Sequence, residues 1–278
     1  MAEAGRPVTP RPVSPRPVTR RFGPVNWLGV ASLVRREIKR EWRFFGVAIL
    51  GPALQASLFA AVFTLAAGEA VPTLGGIGFF DFLAPGLVMA AIMQRAFECT
   101  AYTLMFDKLE AAIEDLLSAP MTPAEILAGW IASAFAITGG VGLTVALAMA
   151  LFGLDWPAHP LLALWFVACA MLLFAAAGVI AAIVSEKWDG LSGKETFVLL
   201  PLIFLSGAFF PLEAVPDGAW RAAFQANPIL YLIDGFRFAM IGRSSVDPAT
   251  AASVALVAAI AMTAAAHALF RSGYKIKP

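Results

Sequence analysis

Four long uncharged stretches dominate the chain: 44–68, 126–154, 156–185 and 248–270. Each exceeds the ~20 residues that an α-helix needs to cross about 30 Å of hydrocarbon. Two further apolar stretches are less regular, 82–106, interrupted by Arg95 and Glu98, and 196–212. Together they predict six membrane-spanning helices at about 46–67, 82–106, 124–152, 161–184, 195–211 and 248–270. The fold class is therefore all-α, a polytopic membrane protein. Composition agrees: 60% of the 278 residues are hydrophobic and the mean hydropathy is +0.78, whereas soluble domains hold about 45–50% apolar residues.

The net charge of +1 conceals a strong asymmetry, since ten of the 20 Lys and Arg residues precede residue 44. With the N-terminus in the cytoplasm and six spans, sixteen basic residues fall on the cytoplasmic side. Only Arg221, Arg237 and Arg243 fall outside, and Arg95 lies within the membrane. This follows the positive-inside rule and puts both termini in the cytoplasm. A seventh span over 219–242 would place Arg221, Asp234 and Arg237 at or near lipid, at about 2.5 kcal/mol or more for each charge. It would also move Arg271, Lys275 and Lys277 outside, so six spans are preferred. Residues 209–242 then form an outer segment broken by Pro211, Pro216 and Pro228, read as a re-entrant or interfacial helical hairpin. Its uncharged part, 222–233, covers only about 18 Å as helix.

Residues 1–24 carry a Pro/Arg-rich repeat, "RPVTPRPVSPRPVTRR", which cannot bury a core and reads as a disordered cytoplasmic tail. After it, Trp27, Val30, Ala31, Val34, Ile38, Trp42 and Phe45 recur at helical spacing, opposite Arg35, Arg36, Lys39, Arg40 and Arg43. An amphipathic helix over 25–45 is expected to lie at the membrane interface, aromatic groups inward and bases toward lipid phosphates. The bases concern orientation and membrane lipid; no nucleic-acid partner is expected.

Between the second and third spans the chain turns acidic: Asp107, Lys108, Glu110, Glu114 and Asp115 fall within nine residues. Leu109, Ala112, Ile113, Leu116 and Leu117 share one helical face, which predicts a short amphipathic helix over 107–120 that ends at Pro120. A capping box then opens the next helix, with Thr122 as N-cap, Pro123 at the first position and Glu125 at the third. The segment's net charge of −3 disfavours an anionic leaflet and favours a protein partner for its acidic face and Leu/Ile stripe.

Other polar groups are sparse. Gln94, Arg95 and Glu98 stand inside the second span, where Arg95 and Glu98 can pair at i,i+3; they read either as part of a substrate route or as an intrahelical pair facing protein. "WDGLSGKE" fails as a phosphate loop, because Trp188 stands where glycine is required and Glu195 where Ser or Thr is required. It reads as a cytoplasmic turn. Cys99 and Cys169 lie in apolar spans without ligand spacing, and His159 and His267 have no acid or thiol neighbours, so no metal or catalytic group is indicated. Pro52 and Pro201 should kink their helices.

The order of basic interfacial helix, first span, "FLAPGLVMAAIMQ", "EDLLSAPMTPAEILAG" and "FLSGAFFPLEAVP…NPILYLIDGFR" resembles the ABC-2 type transporter permeases, over about residues 25–275. It resembles bacterial half-size permeases that pair with a separate ATP-binding subunit. The resemblance implies that 107–120 is the coupling helix, docking on that subunit through Glu110, Ile113, Glu114, Asp115, Leu116, Leu117 and Pro120. In that family a glycine often precedes the acidic-Leu-Leu portion. Here Ala111 and Ala112 stand there, and alanine favours continuous helix.

The resemblance further implies two copies of this chain with two ATP-binding subunits. This chain would bind no cofactor itself, ATP and Mg being held by the partner. The implied activity is export of a lipid-like, glycoconjugate or drug-type substrate across the cytoplasmic (inner) membrane, with no catalysis in this chain. Gln94, Arg95 and Glu98, with Phe210, Pro211, Asn227, Pro228 and Tyr231 of the outer hairpin, would line the route or its gate. A membrane-embedded lipid-modifying enzyme and an uncoupled channel or scaffold are the rival readings.

Overall fold

The computed structural model describes residues 23–43, 46–67, 78–209 and 215–276. The expected disordered tail falls outside them apart from Gly23 and Pro24, and so do Phe210 and Pro211 of the expected gate. The described residues form helices joined by short turns. In order they are α1 (Trp27–Trp42), α2 (Gly51–Ala67), α3 (Phe79–Leu109), α4 (Ala112–Ser118), α5 (Pro123–Leu151) and α6 (Pro160–Val184). After these come α7 (Trp188–Lys194), α8 (Leu200–Phe204), α9 (Ala219–Ala226), α10 (Pro228–Ile241) and α11 (Pro248–Arg271).

Among the described residues five helices are long and apolar enough to cross a membrane: Gly46–Phe63, Phe79–Leu109, Pro123–Leu151, Pro160–Val184 and Pro248–Arg271. Burial separates their roles. About 67% of the most apolar window of α3 and of α6 is buried in protein, against 22% for the first and last spans. The hub is therefore α3 on α6, with α5, α10 and α11 packed around it. Gly178 makes the close approach possible. A Cβ there would sit 2.3 Å from Thr100 Oγ1 and 2.4 Å from the Phe97 carbonyl oxygen. At this contact the Thr100 hydroxyl donates to the Ala175 carbonyl across the interface (2.7 Å).

The span expected at 195–211 is not one long helix. The helical run from Trp188 to Phe204 contains a π-turn at Glu195–Leu199, and the chain then turns through Leu205 and Gly207 (φ +75°). Pro201 explains the π-turn, because it has no N–H to offer the preceding helical carbonyl. The same device recurs at Gly46–Leu50, a π-turn just ahead of Pro52. "WDGLSGKE" is likewise no turn: Gly190, Gly193 and Lys194 lie in α7.

Residues 219–241 form two helices of 8 and 14 residues rather than a span. Asn227 starts α10, its side-chain oxygen accepting from Ile229 N (3.0 Å), while its amide donates to the Leu202 carbonyl (3.0 Å). Pro228 occupies the first turn, where a missing N–H costs nothing. Tyr231 bonds the Gln225 carbonyl at the α9–α10 corner (3.0 Å). Asn227, Pro228 and Tyr231 thus shape this corner. α10 then enters the core, where Arg237 and Asp234 are both buried and paired. Arg237 donates to the carbonyls of Phe82 and Gly207 and lies 3.8 Å from the centre of the Phe82 ring. Asp234 accepts from the amides of Ser245 and Val246.

Candidate functional site

The acidic segment is built differently from the single helix expected over 107–120. α3 continues to Leu109, Ala111 adopts the left-handed conformation (φ +58°), and α4 restarts at Ala112. Asp107 and Lys108 therefore belong to α3 and are buried. Lys108 Nζ donates to the carbonyls of Ala182, Ile183 and Ser185 at 3.0, 3.1 and 2.7 Å, closing the C-terminal end of α6. A cation at a helix C-terminus satisfies the orphan carbonyls and complements the dipole.

Ala111 occupies the break where the resembling family often has glycine. A left-handed alanine costs about 1–2 kcal/mol. Ala111→Gly should therefore stabilise the protein by about 0.5–1 kcal/mol, measured as a raised melting temperature with unchanged helix content.

The two sides of α4 separate cleanly. Ile113 is fully buried and Leu116 nearly so, in a cluster with Leu104, Ile126, Leu127 and Ile183. They anchor α4 to its own protein and are not available to a partner. Glu110, Glu114, Asp115, Leu117 and Pro120 are exposed. With Asp107 and Lys108 buried in ion pairs and hydrogen bonds, the outward charge is still −3, from Glu110, Glu114 and Asp115. Helix α5 then opens with the expected capping box: Glu125 N bonds the Thr122 hydroxyl (3.3 Å) and Thr122 N bonds Glu125 Oε2 (2.6 Å).

The basic face of α1 does not simply meet lipid. Arg36 and Arg40 both grip Asp107, at 2.6 and 3.0 Å, and both pair with the buried Glu37. Burial pushes the Glu37 carboxyl above its ordinary range against the opposing pull of Arg40 and Arg36. Burial alone would lower the Arg36 guanidinium; Asp107 and Glu37 outweigh it and raise the group. Trp27, Leu28 and Trp42 are the exposed large apolar groups of this helix, and Arg35, Arg36 and Lys39 its exposed bases. At its start, Asn26 N donates to Glu125 Oε1 (2.6 Å) and Asn26 Nδ2 donates to the Pro120 carbonyl (3.0 Å). Beyond α11, Lys275 pairs with Glu186 (2.7 Å), and its hydrogen bond holds that carboxyl below the ordinary range.

Gln94, Arg95 and Glu98 come together in α3 on the wall of a cavity of about 490 Å³. Arg95 pairs with Glu98 (3.2 Å), the expected i,i+3 contact, and Gln94 donates to Glu98 (2.9 Å). A further partner was not visible in the sequence: Glu41 of α1 also pairs with Arg95. The opposite walls carry Pro52 and Phe59 of α2, with Phe204 and Phe209, so both proline-broken helices face this space. Asn227 reaches the carbonyl of Leu202, beside the wall, whereas Pro228 and Tyr231 are not among its lining residues.

The family model described as "ABC-2 type transporter" matches residues 29–241. This chain belongs to the ABC-2 type transporter family. The match takes in α1 from Gly29 onward, the α4 segment and every residue of the cavity wall. Among curated proteins, the inner membrane transport permease YadH of Escherichia coli K12 is 30% identical over 249 residues, covering 89% of this chain and 96% of the relative. Nodulation protein J of Rhizobium leguminosarum bv. trifolii is 29% identical over 232 residues, covering 81% of this chain and 85% of the relative. The similarity thus runs over most of each relative's length, and this ABC-2 chain is a membrane transport protein.

Proposed function

We propose that this ABC-2 chain is the membrane subunit of an ATP-driven exporter, energised by a separate ATP-binding subunit that docks on α4. The exposed acidic face of α4 carries this reading. Glu110, just ahead of α4, and Glu114 and Asp115 on it project three negative charges beside the exposed Leu117, on a segment anchored from beneath by Ile113 and Leu116. A lipid surface repels such a face and a basic groove on a protein attracts it. The arrangement needs no nucleotide site in this chain; ATP and Mg belong to the partner.

The protein sits in the inner membrane, as the name of its YadH relative says of that protein. Both termini face the cytoplasm, and the broken run 188–209 serves as a fifth of six crossings. The α9–α10 hairpin is then re-entrant from the outer face. Two copies of this chain with two ATP-binding subunits form the transporter. An amphipathic substrate of lipid-like, glycoconjugate or drug type passes outward by the Gln94–Arg95–Glu98 cavity, as the assembly alternates between two states with different affinity. A photoreactive maleimide on Leu117→Cys should cross-link this chain to an ATP-binding protein in native membranes. The same probe on Leu147→Cys, exposed near the C-terminal end of α5, should not. Equal cross-linking from both positions, or none from Leu117→Cys, contradicts the docking site.

A further inference from the structure

We infer that α1 is the strut through which the coupling segment controls the cavity, and that Glu41 is the positioning residue that sets Arg95. This rests on reading α4 as the docking point and the α3 cavity as the route. Three sets of contacts place α1 between them. At its start, Asn26 is bonded to the Pro120 carbonyl, where the coupling segment ends, and to Glu125, where α5 begins. Midway, Glu37 with Arg36 and Arg40 holds Asp107, two residues before the end of α3. At its far end, Glu41 pairs with Arg95 in the cavity wall.

Asn26 and Glu41 are separated by about 22 Å of continuous helix. Leu33 packs into the space left by Gly129 of α5, where a Cβ would approach it to 2.6 Å, so the middle of the rod is seated against α5. Glu37 and Glu41 are one turn apart on one face, and each serves a different end of the mechanism. A displacement of the loop at Pro120 thus reaches α1 directly through Asn26, without passing along α3. Arg95 is held between Glu41 of α1 and Glu98 of its own helix. Moving α1 changes the first contact and leaves the second, so the guanidinium turns with the position of the strut. Arg95 Nε has no hydrogen-bond partner, which is the condition of a group held by its two carboxylates rather than by its surroundings.

The test needs neither substrate nor ATPase. The full chain is placed in lipid nanodiscs with Ala91→Cys, a half-buried cavity residue one turn from Arg95, and maleimide labelling is timed. Rates are taken relative to the same variant without Ala91→Cys, which removes any signal from the buried Cys99 and Cys169. Asn26→Ser keeps a side-chain oxygen to cap α1 but removes the longer amide that donates to the Pro120 carbonyl. Glu41→Gln removes the charge at the other end. Both should raise the labelling rate roughly three- to tenfold, and the double variant should label no faster than Glu41→Gln alone. A parent-like rate for Asn26→Ser, or for Glu41→Gln, or effects that multiply in the double variant, overturns the strut. If Asn26→Ser does not hold its fold, Glu125→Gln is read in the same way, because glutamine preserves the capping box. A failure here leaves cross-linking at Leu117 untouched, and a failure of the docking site leaves this labelling untouched.

Discussion

Replacing Arg237 by alanine should destabilise the protein by about 3–5 kcal/mol, the cost of breaking a buried ion pair by removing one partner. The side chain reaches the Asp234 carboxylate, the Phe82 and Gly207 carbonyls and the face of the Phe82 ring. Those contacts tie α10 to the start of α3 and to the turn after α8, so their loss loosens the α9–α10 hairpin. Asp234 would keep its bonds to the Ser245 and Val246 amides, yet its charge would be buried without the guanidinium. The expected result is a sharply lower melting temperature in detergent and reduced accumulation in the membrane. Arg237→Lys should rescue only part of this, since one ammonium cannot span two carbonyls and a carboxylate in the same fork. A variant that melts like the parent would show that α10 is held by its apolar contacts alone.

The second large effect is functional. Glu114→Lys with Asp115→Lys changes the exposed face of α4 from −3 to +1 and touches no contact within the chain, since both residues are exposed and Ile113 and Leu116 remain as anchors. Folding and insertion should be unchanged. Reversing charge against a complementary surface costs several kcal/mol, and every 1.4 kcal/mol is tenfold in affinity. Transport should therefore fall to background while the permease itself accumulates normally. The single change Leu117→Ala should be milder, because only one partly exposed apolar group is lost.

How far these sites were legible in the sequence depends on the range of the interactions. The five long apolar helices follow from apolar length, four of them built on uncharged stretches, and the start of α5 from the order Thr122, Pro123, Glu125, because hydrocarbon thickness and capping are local constraints. The pairing of Arg95 with Glu98 is equally local, three residues apart on one helix. The amphipathic stripe at 109–117 promised one helix, but Ala111 breaks it, and a left-handed alanine leaves no mark in composition. The acids of that segment looked alike, yet Asp107 and Lys108 turn inward to Arg36, Arg40 and the end of α6. Their partners lie some seventy residues away on either side, beyond any periodicity. The same holds for Glu41, which reads as a face charge on α1 until Arg95 is placed beside it. The fifth apolar stretch was long enough on paper, but Pro201 and the turn at Gly207 shorten its helix.

The central claim is that the acidic face of α4 receives the ATP-binding subunit. The most direct measurement is co-purification of that subunit with the tagged permease from native membranes, comparing the parent with Glu114→Lys/Asp115→Lys at equal permease amounts. The account predicts an ATP-binding protein recovered with the parent and a loss of tenfold or more with the variant, about 1.4 kcal/mol at least. Equal recovery from both would contradict it.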